Sequence, residues 1–262
     1  VMAPKMASRI RLPLSTITLI AGFLLGFPVS IGAGVVVFDR ITTVGTPVFL
    51  KILTKGQFFS QGGRRVEVRI GNRQSHHLLS GGDGYAYYKY LPRAAGYEEI
   101  VAISDGDESS GLLLVMKPGE TALVIGTEGG LRTSLFSEKS KTDSQEALIQ
   151  LNKQFRIVYF TRWLGVSLVK NWLRREKYPA SVVLRWRDQE VFKKMKNSGI
   201  EVGVVIGSAA LMKAAPEYVK GRYTFEKSTK ATTVKDWTEI VRLIGSDNGT
   251  ANDQRNCNGR LQ

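Results

Sequence analysis

Cysteine is nearly missing from this 262-residue chain, with Cys257 as its one copy. A lone cysteine excludes an intrachain disulfide and any metal site built on cysteine pairs. Histidine is almost as scarce: His76 and His77 are the only two, and they are adjacent. Neighbours on a strand point to opposite faces, so the pair is a poor joint ligand set for one metal ion. Acid is short relative to base, with 23 Asp and Glu against 37 Lys and Arg, a formal net charge of +14. That imbalance favours anionic neighbours, such as lipid headgroups or an acidic protein surface. Zinc-finger spacing and the aromatic-glycine signature of RNA-binding sheets are both absent, so nucleic acid is not an expected partner. No internal repeat is present. At 43% hydrophobic residues, the chain has material for a substantial core.

Charge is also missing locally. Residues 12–38, LPLSTITLIAGFLLGFPVSIGAGVVVF, contain no Asp, Glu, Lys or Arg. About 20 apolar residues span a bilayer core, so the run predicts a transmembrane helix. Pro13 sits harmlessly near its start, and Pro28 predicts a kink. Gly22 and Gly26 have the spacing of close helix packing, or are ordinary membrane glycines. Lys5, Arg9 and Arg11 also suit the basic start of a signal peptide, but the run exceeds the usual apolar core of one. The reading is an uncleaved anchor, with residues 1–11 cytoplasmic and the remainder on the periplasmic or extracytoplasmic side. Arg40, Lys51 and Lys55 follow the run and reduce the charge asymmetry that orients it.

Beyond the run, two patterns follow one another. Residues 46–117 hold short strand-like stretches, including VFLKIL (48–53), RRVEVRI (64–70), YAYYKYL (85–91), EEIVAIS (98–104) and GLLLVMK (111–117), separated by glycine-rich turns. Their alternation and spacing predict a small immunoglobulin-like sandwich. From Glu120 onward, strands alternate with helices: ALVIG, 143–155, RIVYF, 165–177, SVVLRW, 188–199, EVGVVIG, 208–218, RYTF and 234–244. Such alternation predicts an α/β domain over 120–244 with a parallel sheet. In sheets of that kind ligands bind at the carboxyl ends of the strands, here Gly126, Thr161 and Gly207. The tail 245–262 is polar, without apolar period, and is expected to be disordered.

Three stretches carry a resemblance: ALVIGTEGGL (122–131), YFTRWLGVSLVKNWL (159–173), and EVGVVIG followed by SAALM (201–212). Over about residues 120–244 the chain resembles the haloacid dehalogenase superfamily, and within it the lipin-type phosphatase domain and its degenerate relatives. The resemblance implies an aspartate nucleophile at the position of Gly126, an acid/base at Glu128 and a threonine at Gly130. It implies a phosphate-binding hydroxyl at Thr161, a lysine at Lys193 or Lys194, and magnesium acids where Ser208 and Met212 stand. Glycine has no side chain to attack phosphorus, and Ser208 and Met212 supply no carboxylate. Gly126, Glu128, Gly130, Thr161, Lys193 and Ser208 are thus vestigial positions, with no catalytic residue, metal or cofactor expected.

Two non-catalytic uses of the same edge are open. Backbone N–H groups around Thr127 could bind an anion beside Arg162. Lys170, Arg174 and Arg175, partly on one helical face, could meet an acidic partner or anionic lipid. The expected protein is a non-enzymatic single-pass membrane protein, an accessory or binding subunit of a larger membrane complex. The alternatives are a lipid-phosphate phosphohydrolase with a non-standard site and a lipid-headgroup binding module.

Overall fold

A computed structural model of the chain describes residues 34–56, 59–133, 137 and 139–246. Most of the predicted membrane run and nearly all of the polar tail lie outside the described residues.

The first eight strands are β1 (Gly34–Val37), β2 (Arg40–Thr43), β3 (Val48–Lys55), β4 (Arg65–Ile70), β5 (His76–Leu79), β6 (Tyr85–Tyr90), β7 (Gly96–Ser104) and β8 (Asp107–Met116). They form two facing sheets, one ordered β1-β3-β6 and one ordered β2-β8-β7-β4-β5. The result is an immunoglobulin-like sandwich. Alternation in β3 explains its place: Leu50 and Ile52 are fully buried, while Phe49 between β3's inward residues is 58% exposed. Leu50 and Ile52 meet Val66, Val68, Ile100, Ala102, Leu113 and Val115 from the opposite sheet in one apolar core.

The remaining strands are β9 (Thr121–Gly126), β10 (Arg156–Thr161), β11 (Val183–Arg185), β12 (Glu201–Ile206), β13 (Gly221–Thr224) and β14 (Thr232–Thr233). They make one parallel sheet ordered β11-β10-β9-β12-β13-β14, with β9 inside it. Helices α1 (Ser144–Leu151), α2 (Val166–Arg175), α3 (Glu190–Asn197), α4 (Ala209–Ala214) and α5 over 237–246 run between and after these strands. The chain leaves β9, pairs β10 on one side, and later crosses back to pair β12 on the other. The carboxyl ends of β9, β10 and β12 therefore gather at one edge.

The expected α/β architecture behind a membrane helix requires correction. The fold is mostly β, with fourteen strands and short helices among the described residues. The described end of the predicted 12–38 span is strand: Val35, Val36 and Val37 pair with Thr54, Leu53 and Ile52 of β3. β-branched residues suit a pleated, half-buried surface, and Val35 and Val37 alternate into the sandwich core. No helix among the described residues is long and apolar enough to cross a membrane.

Nor does the parallel sheet stand as a separate dehalogenase-like domain. In β8, Leu113 and Val115 enter the sandwich core, while Leu114 and Met116 enter a second core. There they meet Ala122, Val124, Val158, Phe160, Phe192 and Met195 of the parallel-sheet half, together with Ile41 of β2. One strand thus walls two cores, because residue period two sends neighbours to opposite faces.

A buried carboxylate closes this seam. Asp39 accepts from the Leu112 amide at 2.8 Å and the Val183 amide at 2.8 Å, and its Oδ1 lies 2.5 Å from Lys170 Nζ on α2. Its side chain is fully buried, whereas that of Lys170 is one-quarter exposed. Replacing Asp39 by Ala strands two amides and an ammonium, so the expected cost is roughly 3–5 kcal/mol. Urea unfolding of the variant checks this: a midpoint equal to wild type would contradict the role.

Candidate functional site

The loop after β9 turns on Gly129, whose φ is 82° and where a Cβ would stand 2.8 Å from Ser208 Cβ. Both the backbone conformation and the close approach of Ser208 favour glycine there. The turn puts Glu128 back over the end of β10. Thr161 Oγ1 donates to Glu128 Oε1 at 2.8 Å, and the Thr127 hydroxyl lies 3.0 Å from Oε2. Three successive amides also converge on this carboxylate: Arg162 N at 3.1 Å, Trp163 N at 3.2 Å and Leu164 N at 3.3 Å, all to Oε1. Consecutive N–H groups turned to one point form a concavity for anions, and here the chain's own carboxylate occupies it. Burial disfavours the charge on Glu128, but the Thr161 hydroxyl and the amides of this loop outweigh it, holding the carboxyl below its usual range.

The position beside it is filled by hydrocarbon. A Cβ on Gly126 would come 2.9 Å from Leu211 Cδ2, and one on Gly207 would come 2.8 Å from the same atom. Leu211 is fully buried. It is held there by α4, whose first turn is capped by Ser208 accepting from Leu211 N at 3.4 Å. The Ala209 amide donates to Glu226 at 2.8 Å. Gly130 serves through its carbonyl, which accepts from Trp237 Nε1 of α5 at 3.2 Å.

The structure thus gathers Gly126, Thr127, Glu128, Gly130, Thr161, Arg162 and Ser208 at one sheet edge. The other singled-out residues lie elsewhere. Met212 is buried in the second core. Lys193 is exposed on α3 and pairs with Glu190 at 2.8 Å. Lys170 is committed to Asp39, and Arg175 lies 3.6 Å from Glu176. Arg162 places its guanidinium carbon 4.8 Å from the Trp163 ring and 5.0 Å from the Trp186 ring. Such stacking of a cation between two indoles is favourable in itself. Arg174 lines a cleft of about 740 Å³ between β1 and α2, with Phe38, Ser110 and Asn171. His76 is bound to Tyr88, its Nε2 3.0 Å from the phenol oxygen and the rings stacked. Leu211 and Asp39 are structurally central residues that the sequence did not single out. A leucine in an apolar helix and one aspartate after an apolar run carry no local signal of their partners.

No family model matches the chain, and no curated protein matches it either. Among solved structures it is similar to the D00-D0 domain of intimin, at TM-score 0.27 and 14% identity over 35% of this chain and 51% of that one. It is similar to tandem Ig repeats of Dlar at TM-score 0.24 and 13% identity, over 37% of this chain and 56% of that one. A carbohydrate acetylesterase from Xanthomonas citri aligns at TM-score 0.32 and 11% identity, over 67% of this chain and 50% of that one. The chain spans only about half the length of these three structures, and likenesses this low carry no functional reading.

Two substitutions test the edge. Glu128→Gln weakens the acceptor for three amides and two hydroxyls, so a loss of about 1–3 kcal/mol is expected at neutral pH. Because the folded carboxyl lies below its ordinary value of about 4.3, its contribution is complete above that value and fades as pH falls through the lower folded one. Urea midpoints of wild type and variant should therefore converge in acid, and a gap unchanged with pH would contradict the assignment. Gly126→Ala drives a methyl into Leu211, at an expected cost of about 1–3 kcal/mol. Adding Leu211→Ala relieves that clash, so the double variant should lose less than the two singles combined.

Proposed function

We propose that this chain acts without catalysis, as a binding or structural subunit associated with a membrane, and that its strand-end site is a structural remnant. The observation that carries the reading is Glu128: its carboxylate fills the N–H concavity where a substrate anion would sit. An ionised carboxylate there repels an incoming phosphate and already takes the three successive amides. Leu211 fills the neighbouring space, and glycine at 126 offers no nucleophile. The uncharged run over 12–33 supports a place at the membrane, tethering the chain through lipid, and the net charge of +14 supports acidic partners within a larger assembly.

The purified full chain is expected to release no phosphate from phosphomonoesters or phosphatidate above a no-protein blank, with or without magnesium. Gly126→Asp is expected to stay inactive, because Leu211 occupies the space its side chain needs. Magnesium-dependent turnover that disappears in Glu128→Gln would overturn the reading.

A further inference from the structure

The outward face of the β1-β3-β6 sheet has an unusual composition. Strand alternation turns Val36 of β1, Phe49, Lys51, Leu53 and Lys55 of β3, and Tyr85, Tyr87 and Lys89 of β6 away from the sandwich core. Across the strands Phe49 stands opposite Lys89, Lys51 opposite Tyr87, and Leu53 opposite Tyr85. Aromatic or aliphatic residues and lysines therefore interleave, and none of these outward positions is acidic. Phe49 and Tyr87 are more than half exposed. Lys51 Nζ lies 3.8 Å from the Tyr85 ring centre and 5.3 Å from that of Phe38, so its charge sits directly over aromatic surface. At one end of the face, Lys55 pairs with Gly34 and the loop beyond it presents Phe59, 82% exposed.

We infer that this face docks on an anionic phospholipid surface, with the three lysines meeting headgroup charge and Phe49, Tyr87 and Phe59 entering the interfacial layer. Charge complementarity selects the partner's sign, since the face carries only cations. The choice of lipid over another polyanion rests on the proposed membrane tether: the uncharged run over 12–38 leads without a break into β1, which is a strand of this same sheet. A chain held at a bilayer by that run has this sheet as the first folded surface next to it. Aromatic rings and lysines are the side chains that the headgroup region accommodates, rings at the interface and ammonium groups toward phosphate.

The test uses the full chain with vesicles of phosphatidylcholine alone, or of phosphatidylcholine with one quarter phosphatidylglycerol. Flotation reports attachment, and amine-reactive labelling read by mass spectrometry reports each lysine. With phosphatidylglycerol, labelling of Lys55 and Lys89 should slow about fivefold or more, as each lysine near an anionic surface gains on the order of fivefold in occupancy. Lys213 on α4 should label equally in both preparations. The protection should vanish in high salt, where surface charge is screened. In the Lys51→Glu, Lys89→Glu double variant, Lys55 should label as fast with phosphatidylglycerol as without. Equal labelling of floated wild-type chain in both vesicles overturns the docking face and leaves the tether standing. Flotation only with phosphatidylglycerol overturns the tether and supports the face, and flotation with neither overturns both. Protection of Lys89 already complete on phosphatidylcholine alone also overturns the face, since it places something other than anionic lipid over it.

Discussion

Asp39 follows β1 with its side chain fully buried, and a carboxylate there must be met by donors from every side. It finds them on three elements that belong to different layers: the Leu112 amide of β8, the Val183 amide of β11 and the Lys170 ammonium of α2. One side chain thus ties the sandwich to the parallel sheet and its helix. The apolar seam lies beside it: Leu114 and Met116 face the parallel sheet, while Leu113 and Val115 stay in the sandwich. At the chain crossing, Lys117 and Glu120 close a short turn, and Glu120 holds Arg156 at 2.7 Å, so the crossing is also anchored.

The strand-end edge repeats the device. Glu128 is surrounded by donors from β10 and the loop behind it, as Asp39 is surrounded by donors at the seam. In each case a half-buried or buried carboxylate is met by the protein's own N–H and O–H donors. Leu211 completes the closure by lying against both Gly126 and Gly207. What looks in sequence like an open glycine-rich loop is, once folded, a close contact between a loop, a helix and two strand ends.

This internal use of acids bears on the surface. With 23 acidic residues against 37 basic ones, each acid drawn inward leaves the exterior more cationic. The outward side of the β1-β3-β6 sheet carries Lys51, Lys55 and Lys89 among aromatic residues, with no acid between them. A cationic, aromatic face beside an apolar chain segment combines the two properties on which the proposed interfacial attachment rests.

Local pattern decided most of the elements. The alternation of VFLKIL marks β3, and the helical stretch 188–199 forms as α3, preceded by Asp188, which accepts from the Glu190 amide at 2.8 Å, and followed by Gly199 at φ 73°. These signals are legible because they act over a few residues. β1 was hidden because GVVV continues an uncharged run, and period alone does not separate the end of a membrane segment from a buried strand. The double duty of β8 was hidden for a related reason, since GLLLVM is apolar on both faces and does not say which face meets which core. The acid at 128 and the glycine at 126 were visible. The partners of Glu128 were not, for they lie 33 to 36 residues away. Those of Asp39 lie 73 to 144 residues away. The sequence by itself determined many of the strands and helices and which side chains stand at the strand ends, because propensity and side-chain chemistry are local. Only the tertiary structure decided that the two acids are enclosed and the lysines are not, because burial and hydrogen-bond partners come from chain segments far apart that meet only in the folded protein.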